Sequence, residues 1–304
     1  MTPLQPTVQC ADCLISMAND VMTLAKADDA NLIEKAERIS RDILTDAMAK
    51  KSNSPQIANR ILREIRHLTG REDPYAEFKS REMAHGRKIF SQLKNNLADN
   101  LRSYAGLAAL GNSLDFFHNP ENALADIPHQ FNNGFSFYRD NLDQLETFLA
   151  NKPRRILYLA DNAGEVYFDI PLYDYLKQHC RQLYLVVKGG PSLNDLTRVE
   201  LQAADLQDRF DAVADTGTDG AGIDWDHVSK KFLDLFASAD LIISKGMANF
   251  ETLYPKSLPA ASFYLFKVKC EPIQNYIQAP VNSFMALWKD GCDQPGEAGM
   301  KIEE

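Results

Sequence analysis

Between residues 161 and 165 the chain reads Asp-Asn-Ala-Gly-Glu, so two carboxylates, an amide and a glycine directly follow the apolar run ILYLA. Oxygen donors of this kind are hard ligands suited to Mg²⁺ or Mn²⁺, ions that keep open positions for water and a phosphate. Similar groups follow three further apolar runs: Lys188 to Asp195, including Asn194; Thr216 to Gly222, including Asp219; and Lys245-Gly246-Met247-Ala248-Asn249-Phe250-Glu251. Asp161, Asn162 and one later acid read as an oxygen-rich metal site. The glycines let main-chain N–H groups approach an anion, and Lys245 or Lys269 adds positive charge for a phosphate. These parts suit metal-assisted phosphoryl chemistry. Taken singly, Asp-Asn-Ala-Gly-Glu serves equally well as a helix cap. Four strand ends of one kind favour chemistry, because caps require neither lysines nor paired glycines.

The elements that carry these groups fall into two textures. From Cys10 to about Leu149 apolar residues recur at three and four, as in Leu14, Met17, Val21, Leu24 and in Ile57, Ile61, Leu62, Ile65, Leu68, which predicts helices. Breaks are expected at residues 52–55, 69–74 and 118–122. After Lys152-Pro153, strand-sized runs at 156–160, 183–188, 211–215, 241–245 and 262–269 alternate with helical segments near 164–179, 193–204, 225–237 and 247–254. Such alternation implies parallel crossovers. The expected fold class is therefore α/β: an all-helical domain over residues 1–150, then a doubly wound, mostly parallel sheet over residues 151–304. Ligands bind beyond the carboxyl ends of strands in such sheets, where the four groups lie. The tail from Asp290 is expected to be partly mobile.

The net charge of -9 without a long basic run argues against a nucleic-acid partner. No apolar stretch suffices to span a bilayer, and the start MTPLQPTVQC lacks the features of a signal peptide, so the expectation is a cytoplasmic protein without a membrane partner. Five cysteines in such a chain are expected to be reduced. Cys10 and Cys13 form a C-x-x-C that fits a helix face, half of a metal site or a redox pair, and no second pair accompanies it. The six histidines show no metal-ligand spacing. Asn112 and Asp115, in Gly-Asn-Ser-Leu-Asp, either stop a helix or enter the site. Phe131, Phe135, Phe137 and Tyr138 form an aromatic cluster that either lines a pocket wall or, the favoured reading, belongs to a linker packing onto the sheet.

The stretches LYLADNAGEVYFD, VVKGGPSLNDLT, DTGTDGAGID, SKGMANFETL and FKVKCEPI occur in one order and spacing. Together they resemble the metal-dependent damage-control phosphatase family, also called the ARMT-like metal-binding family and formerly a domain of unknown function. CADC, LTGREDPY and GNSLDF resemble its microbial branch, so the likeness runs from Cys10 to about Pro272. It implies a helical domain followed by a Rossmann-like α/β domain with one divalent metal, Mn²⁺, Ni²⁺, Co²⁺ or Mg²⁺. The family pattern assigns the metal to Asp161, Asn162 and Asp195, and substrate contacts to Glu165 and Lys269. It assigns the phosphate to Lys245, Gly246, Met247, Ala248 and Asn249. Asn194 and Asp219 are accessory candidates, although the motif around Asp219 lacks the family's Pro before its last Gly.

The reading that results is a metal-dependent phosphomonoester hydrolase acting on a small phosphorylated metabolite, with catalysis at Asp161, Asn162 and Asp195. The attacking group stays open between Asp161 and a metal-bound water. Two other readings use the same scaffold. A nucleotide- or S-adenosylmethionine-binding enzyme would want G-x-G-x-x-G after the first strand, where metal-type ligands stand instead. A non-catalytic binding protein would not need complete ligand and lysine sets.

Overall fold

The computed structural model describes residues 4–27, 29–112 and 135–292. Asp115, Phe131, the break at 118–122 and the tail from residue 293 lie outside the described residues. The first half is helical, with α1 (Val8–Leu24), α2 (Ala30–Ala49), α3 (Ser54–Thr69), α4 (Ala76–Leu93) and α5 (Leu101–Gly111). The three-and-four spacing has the expected consequence: Leu14, Val21, Ile57, Ile61, Leu62 and Ile65 are buried in one cluster. The breaks have local causes. Asn53 and Gln56 form a reciprocal capping box at the start of α3, and Gly70, at φ 63°, ends that helix in the left-handed conformation.

The second half is built on seven strands, β1 (Arg139–Asp140), β2 (Arg155–Leu159), β3 (Gln182–Val187), β4 (Val213–Asp215), β5 (Leu241–Lys245), β6 (Ala261–Lys267) and β7 (Phe284–Lys289). Their order is β1-β7-β6-β5-β2-β3-β4. Strands β2 to β6 are parallel, whereas β7 runs antiparallel to β6 and carries β1 beside it. The mostly parallel α/β sheet agrees with the sequence reading. That reading did not anticipate β1 and β7, and β1, with the helix α6 (Leu142–Ala150), joins the sheet from before Lys152-Pro153.

Helices α7 (Val166–Gln178), α8 (Arg198–Ala203), α9 (Lys230–Ala237) and α10 (Met247–Leu253) lie in the crossovers between parallel strands, and α11 (Glu271–Ile277) joins β6 to the antiparallel β7. Side chains alternate across the pleat: Ile156 and Tyr158 join the cluster containing α5 and α7, while Leu157 and Leu159 join the one containing α9 and α10. With both faces covered, the central strands read as continuous apolar runs. Phe135 and Phe137 pack edge to face, 4.9 Å apart, and Phe135 also meets Phe284 of β7, so this linker does lie on the sheet. Among the described residues no helix is long and apolar enough to cross a membrane.

From β2 the chain proceeds outward to β3 and β4, then returns to the other side of β2 as β5. The crevice between the carboxyl ends of β2 and β5 is thus the topological switch point, the place where ligands bind in open α/β sheets. Asp161 follows one of these strands and Gly246 the other.

Candidate active site

The residues after β2 do not cap a helix. Asn162 occupies the cap position of a short 3-10 turn, Ala163–Glu165, with extended backbone and no side-chain bond to the first amides. Its Nδ2 donates instead to Glu165 Oε1 at 2.5 Å and Asp161 Oδ2 at 3.4 Å, which leaves its amide oxygen for a cation. The loop after β3 comes alongside: Asn162 and Asp195 form an isolated antiparallel bridge, Ala163 N donates to Asn194 O, and Leu196 N donates to Asp161 O. Asp161, Asn162 and Asp195 are therefore brought together by main-chain bonds between two strand ends.

The charge in this group is unbalanced. Asp161 is buried and, among the described residues, has no ion pair. Burial, then the like charges of Glu165 and Asp195, push its carboxyl up to about 8, against the pull of Lys269 and Lys188. Asp195 is pushed up to about 6, again first by burial, with Lys188 opposing. Asp195 Oδ2 has no hydrogen bond, although Lys188 Nζ stands 3.6 Å away. Two buried carboxylates and a free amide oxygen form a hard donor set fitting a divalent cation. Among the described residues no three His, Cys, Asp or Glu side chains form a metal cage by themselves, so the set depends on the Asn162 amide.

Glu165 is held from two sides. Asn112, fully buried at the end of α5, donates Nδ2 to Glu165 Oε1 at 2.7 Å and to Asp161 Oδ2 at 2.8 Å. Lys245 Nζ lies 3.2 Å from Glu165 Oε2 and 2.6 Å from Asp169 Oδ1, and Tyr158 Oη also donates to Asp169 at 2.7 Å. Burial works against the Lys245 charge, but Asp169 and Glu165 outweigh it and hold the ammonium firmly protonated. Lys245 thus meets the site as a buried brace for Glu165.

The loop after β5 closes the other wall. Gly246 adopts φ 78° and ψ 166°, and a Cβ there would fall 2.0 Å from Asp161 Oδ2. Only a residue without a side chain lets this backbone lie against the Asp161 carboxylate. Asn249 fixes the loop: its Nδ2 donates to Ala160 O and Lys245 O, and its Oδ1 accepts from Lys188 Nζ. Met247 and Ala248 are half-buried beside it, and Lys269 is exposed beyond β6.

Other candidates lie elsewhere. Asp219 is paired with Arg63 at 2.7 Å and with Arg66, and Asn59 clasps Ala221 through both amide atoms. These contacts latch α3 onto the loop after β4. Cys10 and Cys13 lie on α1, and all five cysteines are unpaired, as expected.

Sequence reasoning did not single out Lys188, Asp169 or Glu82. The first two stood inside the motifs already recognised. Glu82 of α4 is buried, accepts Asn194 Nδ2 at 2.9 Å and is pushed up to about 8, mainly by burial, with Glu165 and Asp161 adding to it. Its one visible signal is Gly86 a turn later, which lets α4 touch the main chain at Gly164.

Comparison with known proteins bears on this geometry. Residues 7–283 match the model of the damage-control phosphatase ARMT1-like domain. Damage-control phosphatase PH1575 of Pyrococcus horikoshii is 28% identical over 282 residues, covering 91% of this chain and 96% of that protein. A damage-control phosphatase of Archaeoglobus fulgidus is 28% identical over 280 residues, with the same coverage of 91% and 96%. The crystal structure of PH1575, described as a DUF89 family protein, superposes with a TM-score of 0.84 at 26% identity, over 93% of this chain and 98% of that one.

Proposed function

Because this chain belongs to the damage-control phosphatase ARMT1-like family, we propose that it is a metal-dependent phosphatase hydrolysing a small phosphate ester in metabolite damage control. The substrate class is a sugar phosphate, a nucleotide-like ester or a phosphorylated cofactor metabolite. The observation that carries this reading is the meeting of Asp161, Asn162 and Asp195 at the switch point, with Asp195 Oδ2 lacking a hydrogen bond.

These three residues would hold the ion, Mn²⁺, Ni²⁺, Co²⁺ or Mg²⁺. When bound, it supplies a positive charge that neutralises a phosphate oxygen as the ester bond breaks. The protein supplies position. Gly246 lies against the Asp161 carboxylate, and the main chain from Gly246 to Ala248 would receive the phosphate, while Lys269, exposed at the rim, adds positive charge toward it. Glu165 is aimed by Asn112 and Lys245 toward the substrate, so its orientation is settled before the ester arrives. Asn249 and Lys188 stiffen the loop without spending their own groups on substrate.

The test is phosphate release from an aryl phosphate by purified protein, with chelator and then with each ion restored. Activity is expected to vanish with chelator, return with metal and be lost in Asp161→Asn/Asp195→Asn. Hydrolysis that ignores chelator or survives the double substitution would end the proposal. A panel of phosphorylated metabolites would then name the substrate.

A further inference from the structure

Glu82 of α4 takes no part in the chemistry proposed above, yet it sits where the two ligand-bearing loops meet. It is only 2% exposed. Its Oε1 accepts from Asn194 Nδ2 at 2.9 Å, and among the described residues its Oε2 has no hydrogen-bond partner. Its main chain lies against the turn after β2: a Cβ on Gly164 would fall 2.8 Å from Glu82 O, and one on Gly86 would fall 2.4 Å from Gly164 O. Ala163 N in turn donates to Asn194 O at 2.9 Å. These contacts close a ring that runs from α4 to the loop after β3, across to the loop after β2, and back to α4. Asn162 stands beside Ala163 in this ring, and Asp195 beside Asn194.

The loop after β3 needs such a hold. Leu193 has φ 47°, in the left-handed region, although it is not glycine. A side chain of this size stays there only where its surroundings impose it. The constraints come from the helical half of the chain: Leu193 packs against the apolar cluster of the helices, Arg66 donates to Pro191 O at 2.6 Å, and Glu82 holds Asn194. Without them the loop would relax about Leu193, and Asp195, two residues on, would move with it. Of these three holds, the Glu82 hydrogen bond acts nearest to Asp195.

We infer that Glu82 is a positioning residue for the ion-binding set: through Asn194 it fixes how Asp195 is presented, and through Gly164 it fixes the turn between Asn162 and Glu165. The inference rests on the phosphatase reading, in which Asp195 holds the ion. Partners that orient a metal ligand from behind are worth about 10- to 100-fold in metal affinity. What Glu82 supplies is an acceptor oxygen and a backbone contact. Burial pushes its carboxyl up to about 8, with Glu165 and Asp161 adding to the shift, so near pH 7 it is mostly a neutral acid. Glutamine, with the same length and one carbonyl oxygen, reproduces it.

Calorimetric titration with Mn²⁺ tests this, with Tm of the metal-free proteins measured alongside. Glu82→Leu and Asn194→Ala each break the hydrogen bond and should weaken Mn²⁺ binding about 10-fold or more. The double variant should lose no more than either single one, because a shared contact is lost only once. Glu82→Gln keeps the acceptor oxygen and should bind as the natural chain does. Ile89→Ala, buried on the same helix, should lower Tm and leave the Mn²⁺ affinity unchanged, which separates positioning from stability. Natural affinity in Asn194→Ala or in folded Glu82→Leu, or a loss in Glu82→Gln as large as in Asn194→Ala, would overturn the inference. Should Glu82→Leu fail to fold, Asn194→Ala and Glu82→Gln decide the matter. A natural chain that takes up no Mn²⁺ would refute the phosphatase reading as well, whereas natural uptake by every variant refutes this inference alone.

Discussion

A single methyl group at Gly246 would probe the geometry on which the phosphatase reading depends. Two costs follow from Gly246→Ala. The backbone, at φ 78° and ψ 166°, lies in a region open almost only to glycine, and an alanine there is strained by about 1–3 kcal/mol. At about 2–4 °C per kcal/mol, that strain lowers Tm by several degrees. The second cost is local. The new Cβ would fall 2.0 Å from Asp161 Oδ2, whereas ordinary contact begins at 3.4 Å, so carboxylate and loop must separate by about 1.4 Å. A displacement of about 1 Å at a reacting centre costs about 100-fold in rate, or about 2.7 kcal/mol of transition-state stabilisation. Gly70→Ala separates the two effects, because Gly70 also has positive φ, 63°, but an added Cβ meets nothing within 4 Å. Initial rates on an aryl phosphate at saturating metal, with Tm measured alongside, should show Gly246→Ala down about 100-fold or more and Gly70→Ala unchanged in rate. If Gly246→Ala kept a third of the activity, or Gly70→Ala lost as much, the contact between this loop and Asp161 would not govern the chemistry.

Other parts of the structure make separate commitments. Lys245→Met leaves Asp169 and Glu165 buried without their cation and should cost about 3–5 kcal/mol in urea unfolding; an unchanged midpoint would show that the ammonium is not their brace. Glu251, pushed up to about 8 by burial, titrates above an ordinary carboxyl, so its contribution is fully present below about pH 4 and is lost as pH rises through 8. In chelator, Glu251→Gln should therefore gain stability over the natural protein as pH climbs from about 5 to 8, and parallel stability curves would contradict this. Burial works against the Asp219 charge, but Arg63 and Arg66 outweigh it and hold its carboxyl below the usual range. Asp219→Asn should lower Tm while kcat stays near the natural value, and a collapse of kcat at constant Tm would move Asp219 into the chemistry.

The parts of this protein that were legible in its sequence share a physical reason. A parallel sheet is buried on both faces, so β2, β3, β5 and β6 appear as apolar runs. The residues that end each run fall on the ligand-binding edge without further folding information. That is why Asp161, Asn162 and one later acid could be read as a single site from the residues, while the choice of Asp195, which bridges to Asn162, came from the family resemblance. The strand β7 escaped because FMALWK joins the sheet antiparallel, outside the strand-helix alternation that marked the others. Glu82 escaped for a different reason: an acid in the middle of a helix looks solvated until one knows which helix face is covered, and α4 covers this one with the loop at Gly164. Lys245 shows the same limit within a recognised motif. Its type suggested a phosphate contact, yet its ammonium is committed to Glu165 and Asp169. These two acids are four apart, spanning the 3-10 turn and the first turn of α7, a spacing that sets both on one side of the chain. The spacing was visible in the sequence, but that this side lies over β5, and so claims the lysine, follows only from the crossover that packs α7 on the sheet.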